Sequence, residues 1–301
     1  MLYYCKTPNG NFGDDLNPWL WPQLAPEVCR ENDGTLFVGI GTIFNHKIPA
    51  APRKVVFGAG GGNSGPQFRL DERWKVYCVR GPLTAARFRL DPSLAVTDSA
   101  LLVRQRLPAT EGKKFRVSFM PHLQSVAFAD WKKLCAQIGF HCIDPRAGVE
   151  HVLRELQATE LLLAEAMHGA IVADALRVPW IPVRVYGKFF AYKWQDWTQS
   201  VRVPFQPVDL PPIYEHPPLG WKKVNYFFKK NLAGVGMGPE AWNRLGYRRS
   251  SPAEIDRILE ALQKIPGKQT TFLSDEAWLL KLEARLLEKL ADLRAHWQPS
   301  A

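Results

Sequence analysis

The sequence predicts an α/β fold in which two Rossmann-like halves lie in tandem and two helices follow at the C-terminal end. Short apolar runs alternate with helical patterns along about the first 200 residues, and such alternation is typical of α/β proteins. Most of the apolar runs show no alternation of polar and apolar residues. They therefore indicate strands that are buried on both faces of a parallel sheet.

The first half covers residues 1–104. We expect its strands at residues 2–6, 35–40, 55–57 and 75–79, each followed by a loop that contains glycine. Helices are expected at residues 19–24 and 82–88, and the second of them begins with proline, which the first turn of a helix favours. A polar stretch over residues 104–114 separates this half from the next.

The second half covers residues 112–200. Its strands are expected at residues 115–120, 140–144, 160–163 and 178–183, and its helices at residues 126–138, 149–157 and 167–176. Ligands of open parallel sheets bind outside the carboxyl ends of the strands. The pattern therefore predicts a ligand-binding cleft between the two halves.

Residues 201–250 form a third segment, and residues 251–297 form two C-terminal helices. The third segment is rich in proline and aromatic residues and contains a basic cluster: Lys222, Lys223, Lys229, Lys230, Arg244, Arg248 and Arg249. Ser251 and Glu254 make a capping box for the first helix. Leucines recur along the second helix at positions 279, 282, 286, 290 and 293. We expect this stripe to pack on the body of the protein rather than to lie on a membrane.

The composition is that of a basic globular protein. Among 301 residues, 39 Lys and Arg outnumber 29 Asp and Glu, which gives a net charge of +10. The charge indicates an anionic partner, but no nucleic-acid-binding signature is present, and no apolar run is long enough to span a membrane. The N-terminus does not resemble a signal peptide, and the five cysteines form no C-x-x-C pair. We therefore expect a cytoplasmic protein with reduced thiols and no nucleic-acid partner.

Glycine-rich loops after the predicted strands are candidate phosphate sites. Gly41 lies in one of them, and Gly60 and Gly61 lie in another, where backbone N–H groups can face a phosphate. The third glycine of a dinucleotide motif and the lysine of a Walker motif are absent, so NAD and ATP are disfavoured. A loop that needs positive φ angles and close backbone packing explains the same glycines equally well.

Residues 11–17 form a polar loop directly after the first predicted strand. Its polar residues and glycine are Asn11, Gly13, Asp14, Asp15 and Asn17. An N-terminal helix cap accounts for Asp15 or Asn17, but capping alone does not require this many polar side chains. We therefore favour a sugar-binding or catalytic role for Asp14 or Asp15.

Arg80 follows the strand at residues 75–79 and precedes a helix. At this position an arginine can grip a carboxylate or a phosphate with two parallel hydrogen bonds. A salt bridge to Asp98, which begins a later turn, is the structural alternative.

Two histidines follow strands of the second half. His168 comes after the strand at residues 160–163, and His122 after the strand at residues 115–120. The usual pKa of histidine suits His168 to proton transfer, and Glu165 is placed to set its tautomer. No group of histidines and cysteines has the spacing of metal ligands, so we expect no metal.

In this order, the loops of the chain resemble those of the polysaccharide pyruvyl transferase family, and most closely its bacterial exopolysaccharide branch of ketal-pyruvate transferases. The segments that carry the resemblance are residues 10–17, 39–42, 58–60, 79–82, 98–102, 120–122, 165–170 and 193–197. Each motif is short, and it is their number and order over residues 1 to about 200 that is specific.

The resemblance implies a GT-B-like fold of two domains and a defined reaction. The enolpyruvyl group of phosphoenolpyruvate is transferred to two hydroxyls of one sugar, which forms a cyclic pyruvate ketal and releases phosphate without a cofactor. His168 would protonate the vinyl carbon or the departing phosphate, and Asp14 or Asp15 would orient and deprotonate the acceptor. The residues expected to bind substrates are Asn11, Gly13, Asn17, Gly41, Gly60, Gly61, Arg80, Asp98, His122, Glu165 and Lys193.

The chain departs from the family at one position. Other branches often place an arginine two residues before the histidine, where this chain has Ala166. The anions of phosphoenolpyruvate must then be held from elsewhere. Arg80, Lys193 and Arg184 are the candidates.

The resemblance also implies the partners. Acceptors in this family are typically sugars of cell-surface polysaccharides, in bacteria often lipid-linked at the inner face of the membrane. The basic cluster then has two interpretations of equal weight, a peripheral contact with an anionic membrane or a solvated basic turn. Two other functions fit the architecture: a GT-B glycosyltransferase that uses a nucleotide sugar, and a non-catalytic polysaccharide assembly protein.

Overall fold

Two parallel β-sheets form the framework of the protein, whose computed structural model describes residues 1–29, 34–62, 68–110, 112–186, 191–215 and 249–297. The first sheet contains, side by side in chain order, β1 (Leu2–Tyr3), β2 (Thr35–Val38), β3 (Arg53–Phe57) and β4 (Trp74–Cys78). The second contains β5 (Phe115–Met120), β6 (His141–Cys142), β7 (Thr159–Ala164), β8 (Trp180–Arg184) and β9 (Val208–Asp209). Its strand order is β6-β5-β7-β8-β9. Neighbouring strands in both sheets run parallel, which confirms the predicted α/β class.

The central strands are buried on both faces, as the continuous apolar runs indicate. All four residues of β2 are buried, and so are the last four residues of β5. Phe37 of β2 pairs with Val55 of β3, and Leu163 of β7 pairs with Ile181 of β8. The side chains of these strands therefore fill the space between the sheets and the helices that cover them.

Helices connect and cover the strands. Those of the described residues are α1 (Phe12–Leu24), α2 (Pro82–Arg87), α3 (Trp131–Gln137), α4 (Val149–Gln157), α5 (Met167–Ala175), α6 (Ala191–Ser200), α7 (Pro252–Lys268) and α8 (Glu276–Ala295). A 3-10 helix over Ser99–Arg106 follows Asp98. The helix predicted over residues 126–138 is shorter than expected, because Asp130 caps α3 by accepting a hydrogen bond from the backbone N–H of Lys133.

The first helix begins earlier than the sequence predicts. The expected loop over residues 11–17 is mostly helical, so Asp14 and Asp15 lie in the first turn of α1. Pro18 has no N–H to donate to the carbonyl of Asp14. Asn17 supplies the missing donor, with its Nδ2 atom 3.1 Å from the carbonyl oxygen of Asp14. Pro18 therefore lies inside the helix and does not open it.

One hydrophobic core joins the two halves. It contains Phe12 of α1, Phe57 of β3 and Met120 of β5, all almost completely buried. The leucine stripe of α8 belongs to the same core, and α8 packs against β4 of the first sheet. The prediction that this stripe packs on the body of the protein is therefore confirmed.

Part of the sequence-based prediction lies outside the described residues. The four lysines of the basic cluster, Arg244 and Arg248 lie outside the described residues. Arg249 is described and is exposed. The third segment over residues 201–250 and the domain boundaries remain predictions. No helix in the described ranges is both long and apolar enough to cross a membrane, and all five cysteines are free.

Candidate active site

The second sheet has a point at which the strand order reverses. The chain runs from β5 to β6 on one side and then places β7 on the other side of β5. In open parallel sheets, ligands bind outside the carboxyl ends of the strands at such a point. His122 follows β5, and Glu165 and His168 follow β7, so all three lie at this position.

A cavity of about 390 Å³ opens here between the two halves. The first half lines it with Tyr3, Cys5, Asn11, Phe12, Gly13, Asp14, Thr42, Ile43, Asn45 and Lys47. The second half lines it with Met120, His122, Leu123, Pro145, Ala166, Met167, His168 and Lys193. Two larger cavities, of about 540 and 530 Å³, lie near the 104–114 linker and beside α7. Neither is lined by a histidine, so we place the candidate active site in the cavity between the halves.

The two aspartates of the first turn of α1 have different surroundings. Asp15 accepts a hydrogen bond from the backbone N–H of Asn11 at 2.8 Å. Asn11 occupies the N-cap position of α1, so the expectation that Asp15 or Asn17 is the N-cap was wrong. Asp14 lines the cavity and accepts a hydrogen bond from Nδ2 of Asn11 at 2.5 Å. Burial raises the pKa of Asp14 to about 6, against the lowering effects of Asn11 and the nearby Lys193. Asp14 can therefore give or take a proton near neutral pH.

His168 packs directly against the first turn of α1. A Cβ atom at Gly13 would lie 2.0 Å from the Nδ1 atom of His168, so only glycine leaves room for the imidazole. The other ring nitrogen, Nε2, lies 3.9 Å from Oδ2 of Asp98. Burial lowers the pKa of His168 to about 3, helped by the positive charges of Lys193 and Arg80. The imidazole is therefore neutral when the cavity is empty.

Glu165 organises the loop that follows β5. Its carboxylate accepts hydrogen bonds from the backbone N–H groups of His122 at 3.0 Å, Tyr186 at 3.3 Å and Val185 at 3.4 Å. Burial raises its pKa to about 7. From the sequence, Glu165 was expected to set the tautomer of His168. The carboxylate that lies near that ring is instead Asp98.

His122 adds a second neutral imidazole to the cavity. Burial lowers its pKa to about 3, with a further contribution from the positive charge of Lys193. Its Nδ1 atom accepts a hydrogen bond from the backbone N–H of Gln124 at 3.3 Å. The cavity thus carries two histidines that each hold one ring proton near neutral pH.

Arg80 is enclosed by protein groups. Its guanidinium has no exposed surface and donates hydrogen bonds to Oδ2 of Asp196 at 3.1 Å and to Oγ1 of Thr42 at 2.9 Å. The buried ion pair is therefore made with Asp196 and not with Asp98, the partner considered from the sequence. As a ligand for a substrate anion, Arg80 remains a prediction.

The other two cation candidates, Arg184 and Lys193, differ in whether they line the cavity. Arg184 donates two short hydrogen bonds to Asp209, at 2.5 and 2.6 Å. Lys193, in α6, lines the cavity itself. Burial lowers the pKa of Lys193 to about 8, aided by Arg80, whereas Asp14 and Glu165 oppose this change. Of the three predicted cation candidates, Lys193 is therefore the one that lines the cavity.

Four further predicted substrate-binding residues are not among those that line the cavity. Asn17 is buried and bonds to both backbone polar groups of Ile40 at 2.8 and 2.9 Å. A Cβ atom at Gly60 would lie 2.0 Å from Cζ of Arg80, and Gly41 has a φ of 118°. The backbone N–H of Gly61 donates to the hydroxyl of Thr84 at 2.9 Å. These contacts agree with close packing and positive φ, the structural alternative for the glycines.

Several lining residues were not predicted from the sequence. Tyr3 ends β1, and Asn45 and Lys47 lie in a loop of the first half that shows no motif of its own. Thr42 follows Gly41 directly, and its proximity to a glycine-rich loop was a usable signal. The others reach the cavity only because the two halves pack together.

Comparison with known proteins identifies the family. The model of the polysaccharide pyruvyl transferase family matches residues 15–185, a region that includes His122 and His168. The succinoglycan biosynthesis protein ExoV of Rhizobium meliloti (strain 1021) is 41% identical over 213 residues, which are 69% of this chain and 67% of that protein. No solved structure matches the chain. The chain therefore belongs to the polysaccharide pyruvyl transferase family and is an enzyme of that class.

Proposed function

We propose that the enzyme transfers the enolpyruvyl group of phosphoenolpyruvate to two hydroxyls of one sugar in an exopolysaccharide repeat unit, forming a cyclic pyruvate ketal. The observation that carries the proposal is the placement of Asp14, His168 and Lys193 around one cavity. The reaction needs an acid, a base and a cation for a phosphate and a carboxylate. His168 supplies the acid, Asp14 the base and Lys193 the cation.

The donor brings further negative charge into the cavity. Phosphoenolpyruvate carries a phosphate and a carboxylate, and Lys193 is positioned to hold one of them. An anion beside an imidazole raises its pKa. Binding of the donor therefore favours a proton on His168, which is neutral in the empty cavity.

The first step adds one acceptor hydroxyl to the donor. The hydroxyl oxygen bonds to C2 of phosphoenolpyruvate as its proton passes to the carboxylate of Asp14. The electron pair of the C2–C3 double bond takes a proton from His168, so C3 becomes a methyl group. The product is a tetrahedral carbon that bears methyl, carboxylate, phosphate and sugar oxygen.

The second step closes the ketal. The bond between C2 and the phosphate oxygen breaks, and the phosphate leaves with the electron pair and takes the proton held by Asp14. The second sugar hydroxyl bonds to C2 and returns its proton to His168. Both side chains thus end in the protonation states in which they began, and no cofactor is needed.

The nature of the acceptor is proposed from the relative and the family. ExoV is a succinoglycan biosynthesis protein, so we propose an exopolysaccharide sugar as the acceptor, in a lipid-linked repeat unit. Such an acceptor implies a cytoplasmic enzyme that works at the inner face of the membrane. We further propose that the two sheets are the cores of two GT-B-like domains, which the cavity lined from both halves supports.

Acceptor-dependent release of phosphate tests the proposal. The enzyme is incubated with phosphoenolpyruvate and a panel of galactosides, glucosides and mannosides, and inorganic phosphate is measured. We expect release with at least one acceptor and a loss of about 100-fold or more in His168→Ala, the range for removal of a general acid. His151, whose side chain is 60% exposed on α4, provides the control, and His151→Ala should keep full activity.

Two outcomes would contradict the proposal. One is transfer of a sugar from a nucleotide sugar in the same preparation, with release of a nucleoside diphosphate. The other is failure of the folded protein to bind phosphoenolpyruvate, measured by calorimetry. Family membership favours pyruvyl transfer over the nucleotide-sugar alternative.

A further inference from the structure

Two buried polar atoms face each other beside the cavity without hydrogen-bond partners in the described part of the chain. They are Oδ2 of Asp98 and Nε2 of His168, which lie 3.9 Å apart. Buried polar atoms are almost always hydrogen-bonded, and an exception in a native structure calls for an explanation. Here one atom is an acceptor and the other can be a donor.

The carboxylate of Asp98 is held in place by the backbone. Its Oδ1 atom accepts a hydrogen bond from the backbone N–H of Ala100 at 3.0 Å, at the start of the 3-10 helix that follows. Asp98 has no exposed surface. The second oxygen is therefore fixed in position and directed at the imidazole.

The imidazole of His168 is confined on its other side. Gly13 packs against Nδ1 and Cγ of the ring and against Cβ of His168, while the side chain as a whole keeps 16% of its surface exposed. Nε2 faces Asp98, so of the two ring nitrogens Nδ1 is the one left for a bound substrate, beside Gly13 at the wall of the cavity. The two ring nitrogens can therefore have different roles, one towards Asp98 and the other towards a substrate.

We propose that Asp98 is a positioning residue that accepts the Nε2–H of His168 once donor binding has placed a proton on the imidazole. In a charged imidazole both ring nitrogens are donors. Asp98 takes one of the two N–H groups and stabilises the charge, and the Nδ1–H is directed into the cavity towards C3 of phosphoenolpyruvate. This inference rests on the proposed function and adds the group that makes His168 an acid.

Other charged groups also bear on this pair. Burial disfavours a charge on His168, and Lys193 and Arg80 add to this effect. Burial raises the pKa of Asp98 to about 6, Arg80 opposes this change and Asp196 adds to it. Asp14, which lines the same cavity, is itself protonated at low pH. The effect of Asp98 is therefore best measured above pH 6, where Asp14 is ionised.

Proton uptake during donor binding tests the inference directly. Binding of phosphoenolpyruvate to the full chain is measured by calorimetry at about pH 7.5 in buffers of different ionisation enthalpy, which gives the number of protons taken up. We expect the wild type to take up more protons than Asp98→Asn. In a His168→Asn background, Asp98→Asn should change the uptake no further. Asp98→Asn should also lower kcat/KM by about 100-fold.

The variant is chosen to preserve the fold. The amide introduced by Asp98→Asn retains an oxygen that can accept the N–H of Ala100, and circular dichroism and thermal unfolding check that the protein stays native. Equal proton uptake in the wild type and in Asp98→Asn would overturn the inference while leaving the proposed function intact. Failure of the wild type to bind phosphoenolpyruvate would instead overturn the proposed function itself.

Discussion

The side chains of the cavity have shifted pKa values because both charge and burial are concentrated in it. Burial brings the pKa of Asp14 up to about 6 and that of Lys193 down to about 8. Both groups therefore change charge within two units of neutral pH. Such clusters of perturbed groups are typical of catalytic sites.

Lys193 should set how donor binding depends on pH. The ammonium form binds an anion, so KM for phosphoenolpyruvate should rise as the pH increases through about 8, the pKa of this side chain. Arginine keeps its charge at this pH, and Lys193→Arg should abolish that rise. Loss of the charge in Lys193→Ala should raise KM about 10- to 100-fold, as expected for a hydrogen bond to a charged group.

The matched control is a lysine remote from the cavity. Lys264 lies on α7 with 59% of its side chain exposed, and Lys264→Ala should leave KM unchanged. Steady-state kinetics between about pH 6 and pH 9 measure all three variants. A KM for phosphoenolpyruvate that is the same in Lys193→Ala and the wild type would rule out the lysine as a donor ligand.

Gly13 should be important for catalysis because it leaves room for the imidazole of His168. The Cβ atom of Gly13→Ala would overlap the imidazole of His168, 2.0 Å from Nδ1, so the ring must move. A displacement of about 1 Å at a reacting group costs about 100-fold in rate, and we expect kcat to fall by this factor. The opposite result, an unchanged kcat, would mean that the position of the ring is not critical.

A second glycine separates the steric effect from the general effect of adding a methyl group. A Cβ atom at Gly267, in α7, would contact nothing within 4 Å. Gly267→Ala should leave kcat unchanged and stabilise the protein slightly, since alanine favours a helix over glycine.

At the scale of elements, one buried ion pair fastens α6 to the first half. Asp196 of α6 accepts from Arg80 and also from the backbone N–H of Thr84 in α2 at 2.9 Å. Removing one partner of such a pair leaves an uncompensated charge, which costs about 3–5 kcal/mol. Asp196→Ala should therefore lower the free energy of unfolding by this amount, measured with urea.

An exposed pair serves as the comparison. Arg154 and Glu150 form a bridge on the surface of α4, and Glu150→Ala should cost less than about 1 kcal/mol. The double variant Arg80→Met/Asp196→Leu removes both charges and should recover much of the stability lost in Asp196→Ala. Equal stabilities of Asp196→Ala and Glu150→Ala would show that the buried pair does not fasten α6.

The elements themselves were largely predictable from local patterns. The strand at residues 115–120 and the helix at residues 149–157 have the predicted bounds, because burial on both faces and a regular amphipathic period leave clear marks in a sequence. The start of α1 was not predictable in this way. Proline is typical of the first turn of a helix. Here the helix continues past Pro18, because the side chain of Asn17 donates a hydrogen bond to the carbonyl of Asp14.

At the scale of the whole molecule, the candidate active site lies where the two halves meet. His168 and His122 were predicted to be in the cleft because they follow strands of one sheet. Tyr3, at the end of β1, and Lys47, in a loop, could not be placed there, since no local pattern marks them as residues of the cavity. The pairing of Arg80 with Asp196 joins residues 116 positions apart, which no local pattern reveals.

The attachment of pyruvate to the acceptor tests the central claim most directly. Phosphoenolpyruvate labelled with ¹³C at C2 is incubated with the enzyme and an active acceptor, and the product is followed by ¹³C and ³¹P NMR. We expect the label to appear as a ketal carbon bonded to two sugar oxygens, in step with inorganic phosphate, and neither signal to appear with His168→Ala. Phosphate released with the label recovered as free pyruvate would contradict transfer to a sugar.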